Sequence, residues 1–310
     1  METKWLEDFV SLAQTHSFSR SAQMRHVTQP AFSRRIQSLE AWAGTDLVDR
    51  SSYPTRLTPA GQMLYEQSLE MLQNLQATRS TLRSHLKTVK GVIEFAVPHT
   101  LAISFFPHWM AELREHFPQL RSRLMAFNVH DAVLRLVEGS CDLLLAYHHP
   151  AQPIALDPLH YDMLVLGHET VTAYARPDAT GQSAFQWPGK RGQPLPFLAY
   201  ASGAYLGLVV ESILKKQRAA DFLDRVYETE MSEGLKAMAV EGQGVAFLPA
   251  SAVANDLARG RLVAIDGAPD IELEVRIYRQ RSGRATQAGG PAVNLWTHLA
   301  AQALTTPSAN

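Results

Sequence analysis

The residues whose types most suggest chemistry lie in a short basic stretch near the N-terminus. Residues 28–40 predict a helix that Thr28 caps and that has Pro30 in its first turn, where the missing N–H costs nothing. Its outward polar side chains are Gln29, Ser33, Arg34 and Gln37. Residues 9–39 contain four arginines and no acid. Amide and guanidinium groups in this arrangement can read base edges in a DNA major groove, although an ordinary solvated helix shows a similar pattern.

Other residue types that often carry chemistry do not combine into a site. His148 and His149 are adjacent, so on a strand they point apart, and no cluster of cysteines or acids surrounds them. The Gly-Gln-Gly sequence at residues 242–244 lacks the third glycine of a dinucleotide-binding turn. Cys141 is the only cysteine and opens an apolar run. We therefore predict no catalytic residue, no metal site and no cofactor, and hence no enzyme.

The composition is ordinary for a globular protein with a sizeable core. The chain has 310 residues, of which 46% are hydrophobic, and a net charge of −1, which suggests about two domains and a basic surface that is local. No apolar run approaches the ~18 residues that would span a bilayer, and the N-terminus does not resemble a signal peptide. A single cysteine allows no internal disulfide. We expect a cytoplasmic protein that does not associate with membranes.

The elements around the basic helix predict a winged helix-turn-helix. Residues 5–15 and 20–25 predict two preceding helices, and Gly44 predicts a left-handed end for the basic helix. Two short strands are predicted around a turn, at residues 47–50 and 55–58. This hairpin is a wing from which Arg50 and Arg56 can reach DNA phosphates.

A long helix is predicted at residues 59–90, opened by Thr58 and Pro59. A mostly apolar stripe runs along it, formed by Tyr65, Leu69, Leu72, Gln76, Arg79, Leu82, Leu86 and Val89. Cations that suit the helix dipole lie at its C-terminal end, at Arg79, Arg83, Lys87 and Lys90. A helix of about 30 residues is roughly 45 Å long, and one small domain does not cover it. We therefore predict a dimer contact along the stripe.

Strand and helix patterns alternate from residue 92 onward. The first apolar runs predict buried strands at residues 92–97, 121–127 and 141–147. Helical patterns lie between them at residues 101–117 and 129–138. This alternation predicts a mostly parallel sheet with helices on both faces. Within residues 161–176, Gly167 is predicted to divide the strand pattern.

The fold class predicted is α/β, with an N-terminal all-α winged helix-turn-helix and a long linker helix. The DNA-binding domain is placed at residues 1–58 and the linker or dimerisation helix at residues 59–90. The remaining module has two α/β subdomains with a ligand cleft between them. Their predicted bounds are residues 91–161 with 267–304 for subdomain I, residues 162–266 for subdomain II, and residues 305–310 for a disordered tail.

Residues 27–61 resemble the N-terminal signature of LysR-type transcriptional regulators. The matching residues include VTQPAFSRRI at residues 27–36, Gly44, Arg50 and LTPAG at residues 57–61. The whole chain follows the family's order of winged helix, linker helix and a module similar to periplasmic binding proteins. The resemblance implies a homodimer or homotetramer that binds double-stranded promoter DNA and contacts RNA polymerase. It also implies a small-molecule effector, such as an organic acid, an aromatic compound or an amino-acid-like molecule.

The resemblance also implies site residues. Base-facing positions of the family correspond to Gln29, Pro30 and Ala31. Positions that contact the DNA backbone correspond to Thr28, Ser33, Arg34, Arg50 and Arg56. Positions that line the effector cleft correspond to Pro98, His99, Thr100, Asn128, Val129, Tyr200, Ser202, Val245 and Phe247. Because each phosphate contact releases counterions, we expect DNA affinity to fall steeply with salt.

Two alternatives remain open beside a regulator that responds to a small organic ligand. Residues 2–6, 29–35 and 231–236 look similar to the hypochlorite-responsive branch of the family. That similarity implies a switch by methionine oxidation at Met231, although Leu206 stands where a second methionine is expected. From another class, the chain would be an α/β solute-binding module or enzyme with an unrelated helical cap. That alternative predicts turnover or tight ligand binding without salt-dependent DNA affinity.

Overall fold

The computed structural model of the chain describes residues 1–25, 27–51, 54–86, 91–190, 192–281 and 290–305. The chain divides into two compact units, residues 1–86 and 87–310, each with its own hydrophobic core. Within the described ranges, no helix is both long and apolar enough to cross a membrane. The domain and subdomain bounds given above remain predictions. The tail predicted to be disordered lies outside the described residues from residue 306 onward.

In its described part, the first unit consists of four helices and a two-stranded hairpin. The helices are α1 (Thr3–Thr15), α2 (Phe18–Met24), α3 (Gln29–Ala43) and α4 (Pro59–Leu86). The strands are β1 (Val48–Asp49) and β2 (Arg56–Leu57), which pair antiparallel. The core lies where α1, α2 and α3 meet, and Phe9, Phe32 and Leu39 are fully buried there. The predicted winged helix-turn-helix is confirmed.

The end of α3 and the start of α4 follow the residues predicted to set them. Gly44 has a φ of 72°, and its N–H donates to the carbonyl of Glu40 at 2.9 Å. The Thr58 hydroxyl accepts a hydrogen bond from the N–H of Gly61 at 3.0 Å. A Cβ at Gly61 would lie 2.0 Å from the carbonyl oxygen of Leu47. Glycine therefore allows the start of the long helix to approach the wing.

Strands and helices alternate in the second unit. From residue 92 to residue 175 the elements are β3 (Val92–Pro98), α5 (His99–Ser104), α6 (Phe106–His116), β4 (Arg121–Phe127), α7 (Val129–Val137), β5 (Leu143–His148) and β6 (Tyr161–Ala175). The later elements are β7 (Leu195–Tyr200), α8 (Tyr205–Lys216), β8 (Leu223–Thr229), α9 (Ser232–Val240), β9 (Ala246–Pro249), α10 (Ala250–Ala258), β10 (Val263–Ala264), β11 (Ile271–Gln280) and α11 (Pro291–Thr305). The alternation predicted from the sequence is confirmed.

The main sheet of this unit is mixed, so the prediction of a mostly parallel sheet is wrong. The strand order is β10-β6-β11-β5-β3-β4, and β9 also pairs with β6. Strand β3 is parallel to β4 and β5, whereas β11 is antiparallel to β5 and β6. The reason is that β11, which comes late in the chain, lies between β5 and β6. A local pattern of strands and helices does not reveal such a long-range insertion.

Strand β6 continues through Gly167, where the sequence predicted an interruption. Gly167 pairs with Val275 and Val165 pairs with Arg276, which leaves Leu166 as an extra residue in a bulge. The bulge bends the strand without ending its pairing. A long strand therefore begins at Tyr161, next to the predicted boundary between the two subdomains.

The helix predicted at residues 101–117 is two helices, α5 and α6, which meet at Phe105. Pro107 lies in the first turn of α6 and has no N–H to donate to a preceding turn. A single helix cannot continue through this point without losing a hydrogen bond. The break lets α6 pack on β3, where the rings of Phe95 and Trp109 meet edge to face at 5.9 Å.

Strands β7 and β8 form a second, parallel sheet of two strands in the described structure. Phe197 of β7 also forms a parallel bridge with Val245, just before β9. Side chains of both sheets belong to one buried cluster, which includes Leu145, Phe197 and Phe247. This shared core brings the residues that follow β3 close to those that follow β7 and β8.

Candidate nucleic-acid interface and effector cleft

Helix α3 exposes the residues that were predicted to face DNA bases. Gln29 and Pro30 are exposed, and Ala31 is half-buried. On the opposite face, Phe32 and Ile36 are fully buried, so the helix cannot rotate without disrupting the core. The Gln29 amide therefore projects from a fixed support. A glutamine in this position can offer a donor and an acceptor to one adenine edge.

The residues of α3 that were predicted to contact the DNA backbone lie on either side of Gln29, Pro30 and Ala31. Thr28 and Arg34 are exposed, and Ser33 is half-buried. Thr28 occupies the N-cap position as predicted, but its hydroxyl makes no capping hydrogen bond, so that part of the prediction is wrong. One reason is that Pro30 has no N–H to offer the hydroxyl. Arg34 extends along the surface, and its Nε donates to the carbonyl of Pro30 at 3.4 Å.

A buried carboxylate that the sequence analysis missed holds two of the four arginines. Asp8 of α1 is fully buried and accepts hydrogen bonds from Arg25 Nε at 2.8 Å and Arg35 Nη1 at 3.1 Å. Arg25 also forms an ion pair with Glu7. Burial opposes the charge of Arg25, but its bonds with Asp8 and Glu7 outweigh this and raise its pKa. Glu7 and Asp8, which precede the acid-free stretch, therefore neutralise the charges of Arg25 and Arg35 within it.

The wing is anchored to α3 through Glu40. This buried carboxylate accepts hydrogen bonds from the N–H groups of Leu47 at 3.1 Å and Val48 at 3.2 Å. Its other oxygen pairs with Arg50 Nη2 at 2.5 Å. Arg50 was predicted to contact phosphates, and 45% of its side chain stays exposed despite this pair. Glu40 therefore orients Arg50 without hiding it.

A second contact ties the wing to the turn after α1. His16 follows α1 with a left-handed backbone, at a φ of 54°, and its Nδ1 donates to the carbonyl of Thr55 at 3.2 Å. Thr55 precedes Arg56, which is exposed on β2. Because the wing is held at both strands, the backbone at Arg50 and at Arg56 has a defined position relative to α3.

The described residues of the α4 stripe pack against the core of the first unit. Tyr65 and Leu72 pack against the buried cluster of α1, α2 and α3, and Leu69 is half-buried. Apolar side chains on other parts of the helix are exposed, namely Met63, Met71 and Leu75. The rest of the predicted stripe and cationic end lies outside the described side chains, at Gln76, Arg79, Leu82, Arg83, Leu86, Lys87, Val89 and Lys90. The dimer contact remains a prediction.

In the second unit, three hydroxyl groups from distant segments meet, and we call them the hydroxyl cluster. Thr100 Oγ1, in α5, lies 2.9 Å from Ser232 Oγ, at the start of α9. The same Ser232 oxygen lies 2.8 Å from the hydroxyl of Tyr200, at the end of β7. Burial raises the pKa of Tyr200 well above its ordinary value, so the phenol stays protonated. The structure brings the predicted Thr100 and Tyr200 together and adds Ser232, which was missed.

Other predicted cleft residues lie at the ends of β3 and β4. Pro98 is buried at the end of β3, and His99 after it is exposed. Asn128 is exposed after β4, and its side chain accepts a hydrogen bond from the N–H of Asp131 at 2.8 Å. Val129 is half-buried at the start of α7. The Asn128 amide oxygen is therefore engaged in capping α7.

Val245 and Phe247 lie inside the core, although they were predicted to line the cleft. Both are fully buried. The ring of Phe247 packs against Trp187 at 5.4 Å and Phe197 at 6.3 Å between ring centroids. In this structure both side chains pack in the core and are not exposed to solvent.

The turn after β7 is connected to the loop after β5. Ser202, a predicted cleft residue, is exposed, and its N–H donates to Glu228 Oε1 at 3.2 Å. The Tyr205 hydroxyl accepts from the N–H of His149 at 2.8 Å and donates to the carbonyl of Gln152 at 3.0 Å. Burial raises the pKa of Tyr205 to about 12, so it remains a donor. These contacts hold the start of α8 against the loop after β5.

A buried carboxylate of the second unit, Glu169 of β6, occupies the N-terminus of α10. Its Oε1 accepts from the N–H of Ser251 at 3.2 Å, and its Oε2 accepts from the Ser251 hydroxyl and, at 3.4 Å, from Tyr147. Burial and the charge of Glu169 raise the pKa of Tyr147. Helix N-termini favour anions, and the anion at the start of α10 is the carboxylate of Glu169.

Metal-ligating side chains do not gather in the described ranges. No group of three or more histidines, cysteines or acids there is arranged to hold a metal ion. Cys141 is buried. Burial lowers the pKa of His148 and of His149, so both imidazoles favour the neutral form.

Two protein-family models match the chain. The model described as "Bacterial regulatory helix-turn-helix protein, lysR family" matches residues 3–62, which include α3 and the wing. The model described as "LysR substrate binding domain" matches residues 87–303, which include the hydroxyl cluster. Both compact units are therefore similar to units of one family.

Similar proteins match along nearly the full length. The HTH-type transcriptional regulator YjiE of Escherichia coli (strain K12) is 29% identical over 300 residues, which cover 96% of this chain and 94% of that protein. The structure of Vibrio fischeri DarR in complex with DNA is 30% identical, has a TM-score of 0.56, and covers 96% of this chain and 98% of that chain. HypT from Salmonella typhimurium, a hypochlorite-specific regulator, is 28% identical, has a TM-score of 0.57, and covers 99% and 100%.

Proposed function

The chain belongs to the LysR family of DNA-binding transcriptional regulators, and we propose that α3 and the wing read promoter DNA while a small molecule in the cleft of the second unit controls the binding. The observation that carries the proposal is the first turn of α3. There Gln29 and Pro30 are exposed on a helix whose other face is locked into the core. A rigid support is what base recognition requires, since a mobile amide cannot select one base edge.

The residues divide into two kinds of DNA contact. In the proposed complex the Gln29 amide pairs with an adenine edge, and Pro30 or Ala31 touches a thymine methyl. Phosphate contacts come from a flanking set, which comprises Thr28, Ser33, Arg34, Arg50 and Arg56. Phosphate contacts fix the position of the helix, and base contacts select the sequence.

Control by an effector is proposed for the cleft around the hydroxyl cluster. The proposed ligand is an organic acid, an aromatic compound or an amino-acid-like molecule. A homodimer formed along α4, assembled into a homotetramer, would place two α3 helices on neighbouring half-sites, because dimer geometry sets their spacing. The assembly would act in the cytoplasm and contact RNA polymerase. The DNA complex of DarR supports the proposed DNA contact by similarity.

A band-shift titration on the DNA upstream of the chain's own coding region tests the base contact. Gln29→Ala should weaken specific binding by about 1–3 kcal/mol, or roughly 5- to 150-fold, and relax preference at one base pair. Gln23→Ala is the matched control, because Gln23 is exposed on α2. If Gln29→Ala binds like the control, α3 does not read bases as proposed.

A second candidate is a regulator that senses oxidants through Met231. The supporting observation is that Met231 is 44% exposed and immediately precedes Ser232 of the hydroxyl cluster. A sulfoxide there would add a polar group next to the cluster. Met231→Ile should abolish an oxidant-induced change in DNA binding, with Met163→Ile, at a similarly exposed methionine, as the control. An unchanged response in Met231→Ile would exclude this mechanism.

A further inference from the structure

We propose that the second unit has a further ligand site, outside the effector cleft, which binds a small organic molecule through a phosphate group. The site is a cavity of about 720 Å³, which we call the basic cavity. It is lined by Gly91, Arg114, Pro118, Gln119, Leu120 and Arg121. None of these residues belongs to the proposed DNA contact or to the proposed cleft, so the inference goes beyond the proposed function.

The register of β3 and β4 separates the basic cavity from the cleft. Arg121 opens β4 and lies beside Val92, the first residue of β3. The two strands end together at Pro98 and Phe127, where the predicted cleft residues of this region begin. Seven residues of strand, at about 3.3 Å each, put roughly 20 Å between the two ends. A molecule in the basic cavity therefore does not occupy the cleft.

The two charged side chains that line the basic cavity are both arginines. Arg114 lies in the last turn of α6 and Arg121 at the start of β4, and both are exposed. Neither forms an ion pair with another residue of the described structure, whereas Arg123 pairs with Glu94 at 3.0 Å. A guanidinium has N–H donors and no acceptor. The cavity therefore presents positive charge and hydrogen-bond donors that the described part of the chain does not use.

Negative groups near the basic cavity do not cancel this charge. Glu94 lies on the same face of the strands as Arg121, but it is paired with Arg123. Glu115 follows Arg114 on α6, and consecutive residues of a helix face different directions. The C-terminal end of α6 contributes about half of one negative charge, against two full positive charges. The balance favours an anion.

An organic phosphate fits the chemistry of the basic cavity. A phosphate group carries a charge of about −1.5 to −2 at neutral pH and has acceptor oxygens that match the forked donors of a guanidinium. Sites for small molecules have volumes of about 300–1,000 Å³, so this cavity has room for an organic part beside the phosphate. Pro118 and Leu120 supply apolar surface for that part.

Thermal unfolding of the full-length chain at increasing ligand concentration tests the proposal. The probes are glycerol phosphate and adenylate, and their counterparts without phosphate are glycerol and adenosine. At least one of the two phosphate esters should raise the unfolding midpoint in a concentration-dependent way, while its counterpart should not. Arg114→Gln and Arg121→Gln should each weaken the apparent affinity about tenfold or more, because each removes a charged donor. Arg259→Gln, at an exposed arginine after α10, is the matched control and should respond like the wild type.

The variants should fold, since both arginines are exposed and form no ion pair in the described structure. The inference is overturned if neither ester stabilises the chain, or if Arg114→Gln and Arg121→Gln respond like the wild type. Equal stabilisation by inorganic phosphate or by succinate would also overturn it, because the site would then not select an organic phosphate. So would a shallower salt dependence of DNA affinity in the double variant, since the arginines would then hold DNA.

Discussion

Replacing Asp8 by asparagine should destabilise the first unit, because it removes a charge that two arginines share. Asp8 is fully buried, 2.8 Å from Arg25 Nε and 3.1 Å from Arg35 Nη1. Removing one partner of a buried ion pair costs about 3–5 kcal/mol. Here the side chains of Arg25 and Arg35 are 33% and 29% exposed, so water reaches them and reduces the loss. We expect the free energy of unfolding of this unit to fall by about 2–3 kcal/mol.

Hydrogen exchange of the full-length chain, read by mass spectrometry in peptides of α1, α2 and α3, measures this loss. A fall of about 2–3 kcal/mol corresponds to exchange roughly 30- to 150-fold faster in the most protected amides. Glu7→Gln is the control, since Glu7 is 35% exposed and pairs with Arg25 at the surface, and it should cost less than about 1 kcal/mol. The reasoning is refuted if both variants have equal effects, or if Asp8→Asn costs less than about 0.5 kcal/mol.

Gly61→Ala should lower the free energy of unfolding of the first unit by about 2 kcal/mol or more, measured in thermal unfolding scans, since its Cβ would lie 2.0 Å from the Leu47 carbonyl oxygen. Gly167→Ala, with no atom within 4 Å, is the control. Glu40→Gln should loosen the wing and weaken DNA binding about tenfold in a band shift, and unchanged affinity would exclude a role for its anchor. Burial lowers the pKa of His148, so the unfolded chain binds that proton more tightly and stability is lost below about pH 6.5. His148→Gln should flatten this loss in unfolding scans from about pH 7 to about pH 5.

The fold of the first unit could be predicted closely because its signals are local in sequence. Pro30 and Gly44 mark the two ends of α3, and each acts through its own backbone geometry. The two strands of the wing could be predicted because a short turn sequence separates residues 47–50 from residues 55–58. Side-chain bonds were harder to predict, as Thr28 shows, because the cap position is set by the backbone while the capping bond depends on its neighbours.

The contacts that sequence reasoning missed join residues far apart in the chain. Asp8 binds arginines 17 and 27 residues away, and Thr100 meets Ser232 across 132 residues. A signal for Asp8 did exist, since an acid four residues before the inward-facing Leu12 lies on the buried side of α1. For Ser232 there was none, because a serine at a helix start is usually explained by capping.

The placement of β11 between β5 and β6 shows the same limit at the level of the fold. Each strand was predicted from its own apolar pattern, but the pattern does not specify which strand lies beside it. Val245 and Phe247 were assigned to the cleft by position along the family's chain, and packing places them in the core. Which face of a strand meets solvent is decided by the layers on either side of it.

The dependence of DNA affinity on salt tests most directly whether α3 and the wing hold promoter DNA. Fluorescence anisotropy with the DNA upstream of the coding region gives the slope of log affinity against log salt concentration. Arg34→Ala should make the slope shallower by about 0.9 for each phosphate that the variant no longer neutralises, whereas Arg259→Ala, an exposed arginine of the second unit, should leave it unchanged. A slope near zero for the wild type, or one that Arg34→Ala does not alter, would contradict recognition of DNA by this helix.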